Sequence, residues 1–210
     1  MVNESVTREV LESYDFRKLF KSKGYVYFSN GLYNLNIIGI RTNKTNLVTN
    51  LFDDYLIVIY NSAIKNGDHV TSRRIYPITT EPGLYYMNKP MNVKGAAILV
   101  PNQYRGAYKM DYYKGYQALV QKRPVKVYRD NNKDNVYDLN PETTEEGMFG
   151  LNIHKSNDYK IAAKVNKWSA GCQVFSNPID FKSFITLCEK QKDNYGNSFT
   201  YTLLNEKDLV

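Results

Sequence analysis

Few side chains in this 210-residue chain can do covalent chemistry: two cysteines, Cys172 and Cys188, and two histidines, His69 and His154. Cys172 closes the stretch "WSAGC" (168–172), which also holds the single tryptophan. A thiol becomes a nucleophile when a neighbouring base takes its proton and later returns it to a leaving group, and imidazole does both near neutral pH. Such a thiol is expected to titrate below an ordinary cysteine. His154 precedes Cys172 with seventeen residues between them, enough for a loop to bring the chain back. In "FGLNIHKS" (149–156) Phe149, Leu151 and Ile153 alternate with Gly150, Asn152 and His154, so a strand there turns the histidine away from the apolar set. Gly171 lets the backbone turn tightly, so that the N–H groups of Ala170, Gly171 and Cys172 can hold an oxyanion. Spacing alone leaves two readings open: a Cys172–His154 dyad, or a small structural thiol beside a large ring.

Other chemistries find less support. Four His and Cys residues, none at finger-like or HExxH spacing, do not assemble a zinc site. The chain has no P-loop lysine motif, no GxGxxG and no GxSxG elbow. In "RDNNKDNVYDLN" (129–140), Asp130, Asn132, Asp134 and Asp138 fall at the first, third, fifth and ninth places of a calcium loop. Asn135 stands at the bend, and Glu142 comes one residue late for the closing bidentate ligand. The alternative is an Asn/Asp-rich turn between strands, so the expected cofactor is none, with calcium the one exception weighed. His69, in "KNGDHVTS" (65–72), reads as an exposed loop residue.

The elements that must position the pair are mostly strands. Residues 6–23 place Val10, Leu11, Tyr14, Leu19 and Phe20 near helical spacing, with Gly24 as a stop, and predict an N-terminal helix. From Tyr25 onward, short β-branched and aromatic runs alternate with turn residues, spaced as strands of a sandwich or barrel are: "YVYF", "LNIIGIR", "YLIVIYN", "RRIYPITT", "AAILV", "QALVQ" and "VKVYRD". After Cys172 come a short strand "QVF", then a helix capped by Asn177 with Pro178 at its first position. That helix carries Phe181, Phe184, Ile185 and Cys188 on one face, so Cys188 is read as a buried, inert thiol. Gly196 and a final strand in "NSFTYTLLNE" close the chain. The fold class is mainly β (α+β) and sandwich-like, with an N-terminal helical and strand extension over 1–51 and the main domain over 52–210.

A formal charge of +7 points to an anionic partner. The lysines and arginines are spread along the chain instead of clustered, which argues against nucleic acid. No run approaches the roughly 18 apolar residues of a membrane span, and the start "MVNESVTREVLESYDF" has no basic-then-apolar signal pattern.

His154, a gap of fourteen residues and then Ser169-Ala170-Gly171-Cys172 resemble the signature of L,D-transpeptidases (YkuD-type), in which a histidine is followed by Ser/Thr-His-Gly-Cys. The "QVF" strand, the helix, Gly196 and the last strand agree, and the likeness spans roughly residues 52–204. It implies a β-sandwich-like fold and a cysteine enzyme acting on peptidoglycan stem peptides. Cys172 would form an acyl-thioester that passes to an amine or to water. His154 would be the base, oriented by the carbonyl of Lys155, with Ser169 supporting the loop. Trp168, Asn152 and the tyrosines would line the substrate groove; for Trp168 a core anchor behind the loop is the other reading. This chain differs in having Ala170 where the motif has histidine and Lys155 where the family usually has glycine. The resemblance, carried by "YNLNIIGIR" and "KWSAGCQVF", is to a divergent phage- and Bacteroidetes-like group. It implies synthesis in a host cytoplasm, with the wall reached as a virion component or lysis protein, alongside other virion proteins. The alternative is an inactive module that keeps the fold as a structural or wall-binding virion part.

Overall fold

In the computed structural model, which describes residues 6–42 and 45–209, two short helices come first. They are α1 (Arg8–Ser13) and α2 (Phe16–Ser22). The single predicted helix breaks because the Asp15 carboxylate accepts the Lys18 N–H at 3.1 Å and starts a second helix. Residues 1–5, which open the reading of the chain start, lie outside the described residues.

The strands follow as β1 (Asn36–Arg41), β2 (Asp54–Lys65) and β3 (Asp68–Thr79). After α3 (Leu84–Asn88) come β4 (Ala96–Leu99), β5 (Asn102–Tyr113), β6 (Tyr116–Gln121) and β7 (Val125–Asp130). The last are β8 (Glu145–Gly147), β9 (Ile153–Lys155), β10 (Gln173–Phe175), helix α4 (Pro178–Tyr195) and β11 (Phe199–Asn205). The chain is mainly β, as its texture predicts. "YVYF" is not a strand; its backbone is held by side chains instead, Val26 N–H by Gln103 and Phe28 N–H by Asn36.

Eight strands close on themselves in the order β1-β11-β5-β6-β9-β10-β3-β2, and β4-β7-β8 form a second, three-stranded sheet. Of the two arrangements the strand spacing allowed, sandwich or barrel, the main sheet takes the closed barrel, with a small sheet beside it. β1 is the reason: it pairs in parallel with β11 and antiparallel with β2, and so joins the two. The expected boundary at residue 51 therefore cuts between neighbouring barrel strands. β1 is buried at all six positions, because its two faces serve two cores. Ile37, Leu56, Val58 and Leu203 point into the barrel interior. Ile38, Ile40, Ile57, Ile59 and Leu204 point outward and are covered by Leu11, Phe16 and Phe20 of the N-terminal helices.

α4 is capped as predicted, Asn177 Oδ1 accepting the Ile179 N–H at 2.9 Å. Its Phe181 and Phe184 pack on Phe175 of β10 with ring centroids 5.4 and 5.2 Å apart. Cys188 is fully buried on the same face, and burial holds its thiol well above the ordinary range. His69 is exposed, at the start of β3 and not in a loop. Among the described residues no helix is long and apolar enough to cross a membrane.

Candidate active site

β9, the loop ending in Cys172 and the β5–β6 hairpin converge on a cavity of about 450 Å³ whose walls include His154, Cys172, Ala170, Trp168, Tyr113 and Lys114. β9 pairs in parallel with β10, His154 opposite Val174. The alternation read from the sequence holds only within β9, where Ile153 enters the core and His154 faces the cavity; Phe149 and Leu151 precede the strand and line the same cavity as His154.

His154 is 3% exposed. Its Nδ1 lies 2.8 Å from the Lys155 carbonyl oxygen, which assigns the proton to Nδ1 and leaves Nε2 as an acceptor. The Tyr116 hydroxyl donates to the same carbonyl at 3.4 Å and sits 3.5 Å from Nδ1. Lys155 itself is held: its ammonium lies 4.3 Å over the Tyr116 ring and pairs with Asp158. A lysine where the resembled family has glycine thus pins the peptide that orients the imidazole. Burial pushes the His154 pKa down to about 4, outweighing the carbonyl hydrogen bond that raises it, with Lys114 adding a smaller downward push.

His154 is therefore neutral at pH 7. Because its folded pKa lies below its unfolded value, the stability it contributes is complete above pH 6.5 and is lost as pH falls toward 4. The expected loss is about 3 kcal/mol across that window. NMR titration of the ring and urea melts at pH 7 and pH 4.5 check this; a ring that protonates near pH 6.5 in the folded protein contradicts it.

Cys172 sits at the end of a braced loop. The fully buried Ser169 accepts the Gly83 N–H through its carbonyl at 2.9 Å. Its hydroxyl donates to Cys172 O at 2.8 Å and accepts the Gly171 N–H at 3.1 Å. This is the loop-supporting place the sequence reading gave Ser169. Gln173 donates to Gly171 O at 3.2 Å and accepts from the Tyr201 hydroxyl at 2.8 Å, tying the loop to the barrel interior.

Four expectations are corrected. The Cys172 thiol does not bond the imidazole but donates to Gly150 O at 3.5 Å. Its pKa is not depressed: burial pushes it up to about 11, against smaller opposite pulls from the Asn152 backbone and Lys114. The Gly171 N–H is already committed to Ser169, which leaves the amides of Ala170 and Cys172 for an oxyanion. Asn152 does not line the cavity; it is 4% exposed and its side-chain carbonyl accepts the Gln121 N–H at 3.0 Å, fixing β6. Trp168 resolves the other way, being 42% exposed at the rim and no core anchor.

The Asp130 loop closes on itself. Asp130 accepts the Asp138 N–H at 2.9 Å, and Asp134 accepts the Val136 N–H at 2.8 Å. Asn132 turns its amide donor toward Asp134 and Asp138 at 3.1 and 3.0 Å, where a cation ligand would present oxygen. Asn135 has φ 62°, the left-handed bend expected of it. No group of three or more His, Cys, Asp or Glu among the described residues is arranged to hold a metal.

Sequence reasoning gave the tyrosines the groove without singling out Tyr113, and missed Lys114, Lys167 and the Gly150 carbonyl. The signal for the first two was the "KG" pair of Lys114 and Gly115, both at positive φ, the pattern of a tight hairpin turn. No family model, curated protein or solved structure matches this chain.

Proposed function

We propose that this chain is a cysteine enzyme of the L,D-transpeptidase type acting on peptidoglycan stem peptides. The observation that carries the reading is the shared cavity: Cys172 and His154 both open into it, and His154 Nδ1 is anchored on Lys155 O so that Nε2 is free. The order of strand β9, braced loop, β10, α4, glycine and terminal strand supports the family fold. The overall charge of +7 suits an anionic wall, and virion delivery remains part of the same proposal.

Both groups start neutral. As Sγ swings from Gly150 O and attacks the carbonyl carbon of the third stem residue, Nε2 takes the thiol proton and a C–S bond forms. The oxyanion meets the N–H groups of Ala170 and Cys172. The imidazolium returns its proton to the leaving amine, the C–N bond breaks and a thioester remains. An amine or water then attacks with Nε2 as base, releasing the thiol.

A second reading, an inactive wall-binding module, is favoured by the thiol's bond to Gly150 O and its raised pKa. Muropeptide digestion by wild type and Cys172→Ala, read by mass spectrometry, separates them. Release of D-alanine, a 3→3 link or a cut cross-bridge by wild type alone supports the enzyme. Products equal in the variant, or no product from any wall type, leave the module.

A further inference from the structure

The cavity over Cys172 is lined by three cations, Lys114, Arg129 and Lys167, and by no aspartate or glutamate. Arg129 is spent on structure: it pairs with Glu145 at 2.9 Å and donates to Gly95 O at 3.3 Å. Lys114 and Lys167 form no ion pair among the described residues. Each ammonium instead rests on a tyrosine ring, Lys114 at 5.1 Å from the Tyr113 centroid and Lys167 at 4.4 Å from that of Tyr85. Stacking of this kind restrains a lysine head; Lys114 also hydrogen-bonds the Tyr113 side chain, and the remaining N–H donors of each ammonium are left for a ligand.

Lys114 is also fixed by its backbone. It and Gly115 sit at φ 50° and 87°, so the hairpin tip is a turn in which both central residues are left-handed. Tyr113 bridges the lysine to the chemistry, since its ring packs 4.9 Å from His154. The field of Lys114 is felt at both His154 and Cys172. The two lysines come from separate segments, the hairpin and the loop before Trp168, and both line the Cys172 cavity, Lys167 at its edge where it and Tyr85 also line the adjoining groove.

We infer that Lys114 and Lys167 form an anion seat at the mouth of the Cys172 cavity that binds a carboxylate of the ligand. As a statement about the substrate it rests on the proposed thiol chemistry; the charge preference of the cavity does not.

The test compares alkylation of Cys172 by iodoacetate and by iodoacetamide, followed by peptide mass spectrometry and normalised to the same two rates for the unfolded chain. Wild type is expected to favour the anionic reagent about three- to tenfold at low salt, less at high salt. Lys114→Met and Lys167→Met should each reduce the preference, and Lys114→Glu should reverse it. A normalised ratio near one in wild type, or a ratio unmoved by both methionine variants, overturns the seat.

Should the buried thiol resist both reagents, N-acetylglycine and N-acetylglycinamide are titrated against the Tyr113 and His154 ring resonances. The acid alone should shift them in wild type, and neither ligand should in the double methionine variant; equal shifts by acid and amide overturn the proposal. Muropeptide turnover without a charge preference would discard the seat and keep the enzyme. A charge preference without turnover would do the reverse.

Discussion

Gly171→Ala is expected to cost at least about 3 kcal/mol of stability and to unseat Cys172. Gly171 has φ 118°, and a Cβ built there lies 2.2 Å from Ala97 O and 3.0 Å from Leu151 Cδ2. The carbonyl cannot step aside cheaply, because Ala97 is a residue of β4 paired with Arg129 of β7. Backbone strain at this φ adds about 1–3 kcal/mol to the collision. The loop must therefore lift from the small sheet, and the Ser169 brace and the Gln173 contact to Gly171 O go with it. In thermal melts the loss corresponds to roughly 6–12 °C for a chain of this size. Cys172 should also alkylate faster, its enclosure gone, while muropeptide processing falls. Gly24→Ala is the control: its φ is 69° with nothing within 4 Å of the added carbon, so only about 1 kcal/mol is at stake. A Gly171→Ala protein as stable as the control removes the argument that this loop is wedged against β4.

Much of this was legible because it is local. Asn177 followed by Pro178, the i, i+3, i+4, i+7 face of α4 and the alternation around His154 are written within a few residues of where they act. The placement of the Lys155 carbonyl against Nδ1 came through resemblance and has a distance of 2.8 Å in the structure. What failed was long-range. β5 mixes Arg105, Lys109 and Asp111 with tyrosines, so it shows no clean period, yet β11 and β6 hold it on either side. The parallel pairing of β1 with β11 joins residues some 160 positions apart, and no local pattern announces it; without it the chain reads as a sandwich or barrel with an appendage. The thiol's raised pKa was hidden for the same reason. Spacing shows that a histidine can come near, but burial is a property of what the β5–β6 hairpin and the small sheet place around the sulfur.

Arg41→Met is expected to destabilise the protein by about 3–5 kcal/mol. Arg41 is 2% exposed at the end of β1. Its guanidinium donates to Thr80 Oγ1 and Thr80 O, each at 3.1 Å, and lies 3.3 Å from Glu81 Oε1. Asp54, at the start of β2, accepts the Thr80 N–H at 2.7 Å, the Thr80 hydroxyl at 2.8 Å and the Thr42 N–H at 2.9 Å. Arg41 is thus a buried cation beside the buried carboxylates of Glu81 and Asp54 where β1, β2 and β3 meet, and its removal takes the guanidinium from both. Burial already raises the Asp54 pKa, and Arg41 is one of the influences that lower it. A carboxyl raised in the folded state contributes stability that is complete below its unfolded pKa and is lost as pH rises. The Arg41→Met penalty should therefore be larger at pH 7 than at pH 4. Pairing the change with Glu81→Gln should recover part of it, since less buried negative charge is then left beside the lost guanidinium. The damage should also reach the thiol: Glu81 leads through Pro82 to Gly83, whose N–H holds Ser169 O at 2.9 Å. Faster alkylation of Cys172 in Arg41→Met, with Cys188 still protected in α4, would show the buried network bracing the cysteine loop from below. A penalty under about 1 kcal/mol at pH 7, where an exposed pair would fall, would mean that water or a partner outside this network compensates the charge.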